Sequence, residues 1–155
     1  MRRGSLRLLT NNNQRIWEER YARGEAANRY PYDLVVSFLL GSYSNLDKSQ
    51  IKILDYGSGA GNHTAFLARE GFDYYAIDFS PSAIQLAHDN IRSFGLLPDE
   101  NRIVCGDFKE LPFEDYFFDG IIDRQSLDQN CFSDIPDLVN EIYRVLKPGG
   151  VYMGI

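Results

Sequence analysis

The sequence predicts an α/β fold, a doubly wound and mainly parallel sheet with helices on both faces. Three observations predict it. From residue 51 onward, short apolar runs alternate with amphipathic helical segments, the pattern of strands joined by crossover helices. Gly57, Gly59 and Gly61 form a bare turn between the first such strand and its helix. Aspartates stand at the carboxyl ends of four successive strands, at Asp55, Asp78, Asp107 and Asp123, where open parallel sheets place their ligand crevice. A chain of 155 residues suits one hydrophobic core.

Each element has its own signal. "NQRIWEERYAR" (13–23) predicts a short helix with Ile16, Trp17 and Tyr21 on one face. Pro31 is expected in the first turn of the next helix, "YDLVVSFLLGS", which Gly41 can end. "IKILDY" (51–56) predicts strand one, and "NHTAFLARE" (62–70) a helix stopped by Gly71. "DYYAID" (73–78) predicts strand two. Ser80 and Pro81 then supply a hydroxyl cap and a proline at the first helical position. Ile84, Ala87, Ile91 and Phe94 keep one apolar face along that helix until Gly95. "RIVCGD" (102–107) and "FFDGIID" (117–123) predict strands three and four. Ser133 is the expected cap of a helix carrying Ile135, Leu138, Val139, Ile142, Val145 and Leu146. "KPGG" (147–150) is expected to terminate it, and "VYMGI" to begin strand five.

Composition excludes several classes. The net charge is −6, and without a Lys/Arg cluster the chain is a poor duplex-tracking nucleic-acid binder. Cys105 and Cys131 lack CxxC spacing and make no zinc set with His63 and His88. They read as two reduced thiols of a cytoplasmic protein. "MRRGSLRLLT" has no apolar stretch adequate for a secretory leader. "LVVSFLL" (34–40) is too short to span a bilayer.

The glycine turn carries the chemistry. Glycine removes the β-carbons that would keep a ligand off the main chain and permits positive φ. The helix that follows offers its N-terminal amides. A dinucleotide fingerprint, G-x-G-x-x-G, requires a small residue at position 62, where this chain has Asn62. Together with the lack of a Tyr-x-x-x-Lys pair, that disfavours a nicotinamide-dependent oxidoreductase.

"ILDYGSGAGNHTAFLA" (53–68) resembles the first motif of the Rossmann-like, class I S-adenosylmethionine-dependent methyltransferases. "DFSPSAIQLA", "GDFKELPFEDYFFDGIID" and "EIYRVLKPGGVYM" resemble the following motifs in the same order, so the resemblance covers about residues 51–155. It implies S-adenosylmethionine as cofactor, a small-molecule acceptor and in-line methyl transfer. It implies that Gly57 and Gly59 face the cofactor and that Asp78 accepts from both ribose hydroxyls, a task for which a carboxylate is suited. Asp107 would bind the adenine amino group, with Phe108 beside the ring and Phe79 on its other side; either phenylalanine also fits ordinary core packing. Asp55 would face the methionine amino end, hold the glycine turn, or both. Asp123 and Arg124 would lie beside the methionyl group. "WEERY" (17–21) is similar to a cofactor-covering helix, so Tyr21 and Trp17 would close over the site or pack an aromatic face on the domain.

No catalytic base is assigned. Asp123 and Asp128 qualify by position, whereas His63 and His88 are expected at the surface. "DRQS" after strand four lacks the Pro-Pro-aromatic motif of enzymes that methylate base amines. Residues 1–45 are expected to form a helical cap and 46–155 the cofactor-binding domain. The resemblance implies two further strands, six and seven, so the chain is expected to be a fragment cut at strand five, whose exposed edge would favour self-association. The alternative is a domain that binds the nucleotide without catalysis.

Overall fold

The computed structural model describes residues 12–155; the segment read for a leader, and the start of the expected cap, lie outside them. The elements are α1 (Asn12–Ala22), α2 (Asp33–Ser42), β1 (Lys52–Tyr56), α3 (Asn62–Glu70), β2 (Asp73–Asp78), α4 (Pro81–Ser93), β3 (Ile103–Cys105), β4 (Phe118–Asp123), α5 (Ile135–Val145) and β5 (Leu146–Gly154). The strands form one sheet in the order β3-β2-β1-β4-β5, and every neighbouring pair is parallel. This is the order, 3-2-1-4-5, that the resemblance to class I methyltransferases implies.

Side chains alternate across a strand, and here the alternation divides the core in two. Ile53 and Ile122 join one cluster with Val35 and Leu39 of α2, Leu67 of α3 and Ile91 of α4. Leu54 and Ile121 join the other with Leu138, Ile142 and Val145 of α5. The central strands are therefore buried on both faces, as in parallel sheets generally, while β5 is largely exposed.

Capping explains two of the helix ends. Ser80 accepts a hydrogen bond from Ala83 N, with Pro81 in the first turn of α4. Gly71 ends α3 in the left-handed conformation.

Four expectations are corrected. Pro31 lies before α2, because the Tyr32 amide donates to His63 Nε2 and keeps Tyr32 extended (φ −75, ψ 140). Gly41 lies inside α2; the helix runs on until Tyr43, buried on Phe72, donates its amide to Leu39 O. Ser133 caps nothing: α5 begins after a 3-10 turn at Phe132–Asp134, with Asp134 at the cap and Pro136 in the first turn. "KPGG" lies within β5, where the register shifts between Phe118, paired with Leu146, and Gly120, paired with Val151. The third strand is also shorter than expected.

Candidate functional site

The carboxyl ends of β1, β2 and β4 converge on a cavity of about 400 Å³, within the usual range for small-molecule sites. Its floor is the turn after β1. Gly57 N and Ser58 N both donate to Ile77 O, at 2.9 and 3.0 Å. Gly59 N donates to Asp78 Oδ2 at 2.9 Å. The turn is thus hydrogen-bonded to the end of the neighbouring strand. A β-carbon on Gly57 would lie 1.8 Å from Ser126 Oγ, and one on Gly59 would lie 2.6 Å from the Tyr21 hydroxyl. Both positions require glycine for space, and their φ values of 68 and 52 require it for conformation.

Asp78 is 3% exposed. Its Oδ1 accepts from Ser80 N and its Oδ2 from Gly59 N, which leaves further lone-pair capacity on both oxygens. Burial pushes its pKa up to about 6; the two amides oppose the rise, while Asp55 and Glu18 add to it. At neutral pH it is an anion facing the cavity.

The roof is α1. Glu18 accepts from Ser80 Oγ (2.5 Å), Ser82 Oγ (2.7 Å) and Ser82 N (3.3 Å), which sets a carboxylate on the N-terminal turn of α4, where the helix dipole favours it. Trp17 and Tyr21 stack, with ring centroids 5.8 Å apart, and the Tyr21 hydroxyl covers Gly59. Burial raises the Tyr21 phenol well above its ordinary pKa; Asp78 adds to the rise and Arg20 opposes it.

The back wall follows β4. Gln125 adopts φ 56, an uncommon conformation for a residue with a side chain, and the turn it makes carries Ser126 across to the glycine loop. Ser126 Oγ donates to Gly57 O at 3.3 Å. The Arg124 guanidinium lies 3.7 Å from the centroid of the Tyr32 ring.

Seven predicted site residues line this cavity: Tyr21, Gly57, Gly59, Asp78, Phe79, Phe108 and Arg124. Phe108 is also packed on Tyr56, with centroids 4.5 Å apart, so both readings of that ring hold geometrically. Asp55, Asp107 and Asp123 are not among the lining residues. Asp55 accepts from Thr64 Oγ1 at 2.6 Å and lies 3.8 Å from His63 Nδ1. Asp107 accepts from Lys109 N. Asp123 accepts from Ser126 N, Leu127 N and the Tyr152 hydroxyl; burial raises its pKa and these three donors oppose the rise. Asp123 and Asp128 line a second cavity, of about 330 Å³, with Ile135 and Ile155.

The histidines correct the sequence reading. His63 is 4% exposed and lines the main cavity. It is covered because Tyr32, in the turn leading into α2, donates its amide to His63 Nε2 and lays its ring against the imidazole. His88 is half-buried, and burial lowers its pKa. Ser58, Tyr32 and Ser126 also line the cavity and were missed. Ser58 was legible as the side chain between two glycines; it is 4% exposed, and among the described residues its hydroxyl has no partner.

Residues 54–154 match a family model described as a methyltransferase domain. The chain is 34% identical over 104 residues to 24-methylenesterol C-methyltransferase 2 of Oryza sativa subsp. japonica, covering 66% of this chain and 28% of that protein. It is 36% identical over 110 residues to the methyltransferase GfsG of Streptomyces halstedii, covering 70% and 38%. A solved structure from Methanococcus maripaludis, provisionally described as an S-adenosyl-L-methionine-dependent methyltransferase, superposes with a TM-score of 0.67 and 28% identity, covering 91% of this chain and 63% of that one. The chain therefore spans less than two thirds of each.

Proposed function

The chain belongs to the methyltransferase domain family, and from that premise we propose that it binds S-adenosylmethionine and takes part in methyl transfer to a small-molecule acceptor. One observation carries the reading: a glycine turn without side chains is hydrogen-bonded to a buried carboxylate whose remaining lone pairs face the same cavity. That arrangement fits a nucleoside laid against backbone with two vicinal hydroxyls on Asp78. The unpartnered Ser58 hydroxyl lies in the same turn and can accept or donate there.

The residues divide the work. Asp78 orients the sugar. Phe79 and Phe108 flank the base, and Asp107, just outside the lining, receives its amino group. Arg124 holds the carboxylate of the amino-acid end, while Asp55 and Asp123 keep α3 and the loop after β4 in place around it. Tyr21 and Trp17 cover the site and exclude water. When bound, the cofactor supplies an electrophilic methyl group on sulfur; the protein supplies alignment and a dry enclosure. A general base is needed only for a weakly nucleophilic acceptor. Residues 1–45 act as the cap and 46–155 as the binding domain in this reading.

Asn62 argues against the nicotinamide alternative. It is buried and donates to Tyr30 O at 3.0 Å, filling the place a dinucleotide fingerprint keeps bare. Calorimetric titration with S-adenosylhomocysteine and, separately, NAD tests the assignment. The homocysteine compound is expected to bind; binding of NAD alone overturns the reading. Binding without methyl transfer to any acceptor supports the non-catalytic alternative.

Two further features are proposed on the same footing. The free thiols of Cys105 and Cys131 support a cytoplasmic location. Among the described residues β5 pairs only with β4, and this edge favours self-association, which a light-scattering mass would reveal or refute.

A further inference from the structure

Two arginines line the main cavity, Arg20 on the roof and Arg124 on the back wall. Each lies on an aromatic ring. Arg20 is 4.5 Å from the Trp17 centroid and Arg124 is 3.7 Å from the Tyr32 centroid. Stacking fixes the plane of a guanidinium and leaves its N–H edge available for bidentate contact with an oxyanion. Among the described residues neither arginine is in an ion pair. Of the acids that line the same cavity, Glu25 is paired with Arg23 at 2.7 Å and meets Arg20 only through space, and Asp78 holds two backbone amides.

We infer that the methyl acceptor carries an oxyanion, a carboxylate or phosphate, and that Arg20 is the residue that binds it. The inference rests on the proposed cofactor. That molecule brings one carboxylate together with an ammonium and a sulfonium, so it is itself cationic on balance. Its carboxylate satisfies one guanidinium. Arg124 suits that role, because the loop carrying it is bound to the glycine turn through Ser126. Arg20 is then left beside a cationic donor with no carboxylate in ion-pair contact among the described residues. An acceptor with a negative group supplies the missing charge, and one without it leaves the arginine to repel the donor.

The rest of the wall agrees. Asn13 donates to Gln129 O at 2.6 Å and Asn130 to Ser126 O at 2.7 Å, so amide side chains line part of the cavity. A polar acid would find hydrogen-bonding partners among them.

The test uses the protein saturated with S-adenosylhomocysteine, titrated by NMR with benzoate, phenyl phosphate and benzyl alcohol. At least one of the two anions is expected to bind about tenfold more tightly than the alcohol, and which does so distinguishes carboxylate from phosphate. Arg20→Gln is expected to bring all three within about threefold while leaving S-adenosylhomocysteine affinity unchanged. Arg124→Gln is expected to weaken S-adenosylhomocysteine by about tenfold and leave 5′-methylthioadenosine, which lacks the carboxylate, unaffected. Equal binding of alcohol and acids, no binding of any probe, or an Arg20→Gln protein that keeps the preference overturns the inference. Failure of S-adenosylhomocysteine to bind at all removes the proposed function instead.

Discussion

The floor and the roof of the cavity are built by different means. The floor is backbone held by backbone: Gly57 and Ser58 amides on Ile77 O, and Gly59 N on Asp78. It rests on strands whose side chains, among them Ile53, Leu54 and Ile77, are fully buried. The roof is a helix with one buried side chain among its described residues, Gln14. It is attached through the Glu18 carboxylate, Asn13 and the Tyr21 phenol. In the proposed function the floor holds the cofactor and the roof selects what meets it. Side-chain hydrogen bonds can be exchanged one at a time without disturbing the sheet.

The strongest way to break the comparison is at the core. Phe118 is fully buried in a cluster with Tyr75, Phe113 and Phe117. Phe118→Ala is expected to cost about 3–5 kcal/mol of folding stability, measured as a lower midpoint in urea. An equal loss from a roof substitution would erase the distinction drawn here.

Next is the carboxylate in the floor. Asp78→Ala should weaken S-adenosylhomocysteine by about 1.5–3 kcal/mol, the value of hydrogen bonds to a charged group. Calorimetry checks it, and unchanged affinity would deprive Asp78 of its role.

The same residue predicts opposite signs for binding and stability against pH. Its folded pKa of about 6 lies above the ordinary 3.8, so the native state takes up the proton more readily than the unfolded chain between those values. Its contribution to stability therefore rises as pH falls through that window and is lost as pH rises again. Ligand affinity should instead fall on acidification below about 6, by up to about tenfold per unit, as the acceptor is protonated. Both trends should vanish in Asp78→Asn. A ligand affinity that is flat from pH 7 to 5 in the unsubstituted protein would contradict the assignment.

The smallest effect belongs to the roof. Glu18→Gln should cost about 1 kcal/mol, that of a hydrogen-bonded carboxylate at a helix N-terminus. Hydrogen exchange should quicken in residues 12–22 and remain unchanged in the glycine turn. Faster exchange in both would mean that the two parts are one cooperative unit.

The floor was legible in the sequence because each of its parts is local. Glycine spacing, Ser80 with Pro81, and an aspartate at the end of a strand are signals within a few residues; the sheet order came from the family resemblance instead. The roof was not. Arg124 meets Tyr32, and Glu18 meets Ser80 and Ser82, only after the chain has folded, and no spacing rule connects such distant positions. His63 was misplaced for the same reason, since what buries it is Tyr32 of the preceding turn. Ser133 looked like a cap by residue type, but Pro136 moved the helix start. "KPGG" looked like a terminator, but pairing with β4 absorbed it as a register shift.

The most direct test is a crystal structure of the protein with S-adenosylhomocysteine. The account predicts the adenosyl group against the backbone of Gly57 to Gly59, both ribose hydroxyls on the Asp78 carboxylate, and the Tyr21 ring moved aside or laid over the sugar. A ligand bound elsewhere, with the Tyr21 hydroxyl still on Gly59 and Asp78 holding only its two amides, would contradict it.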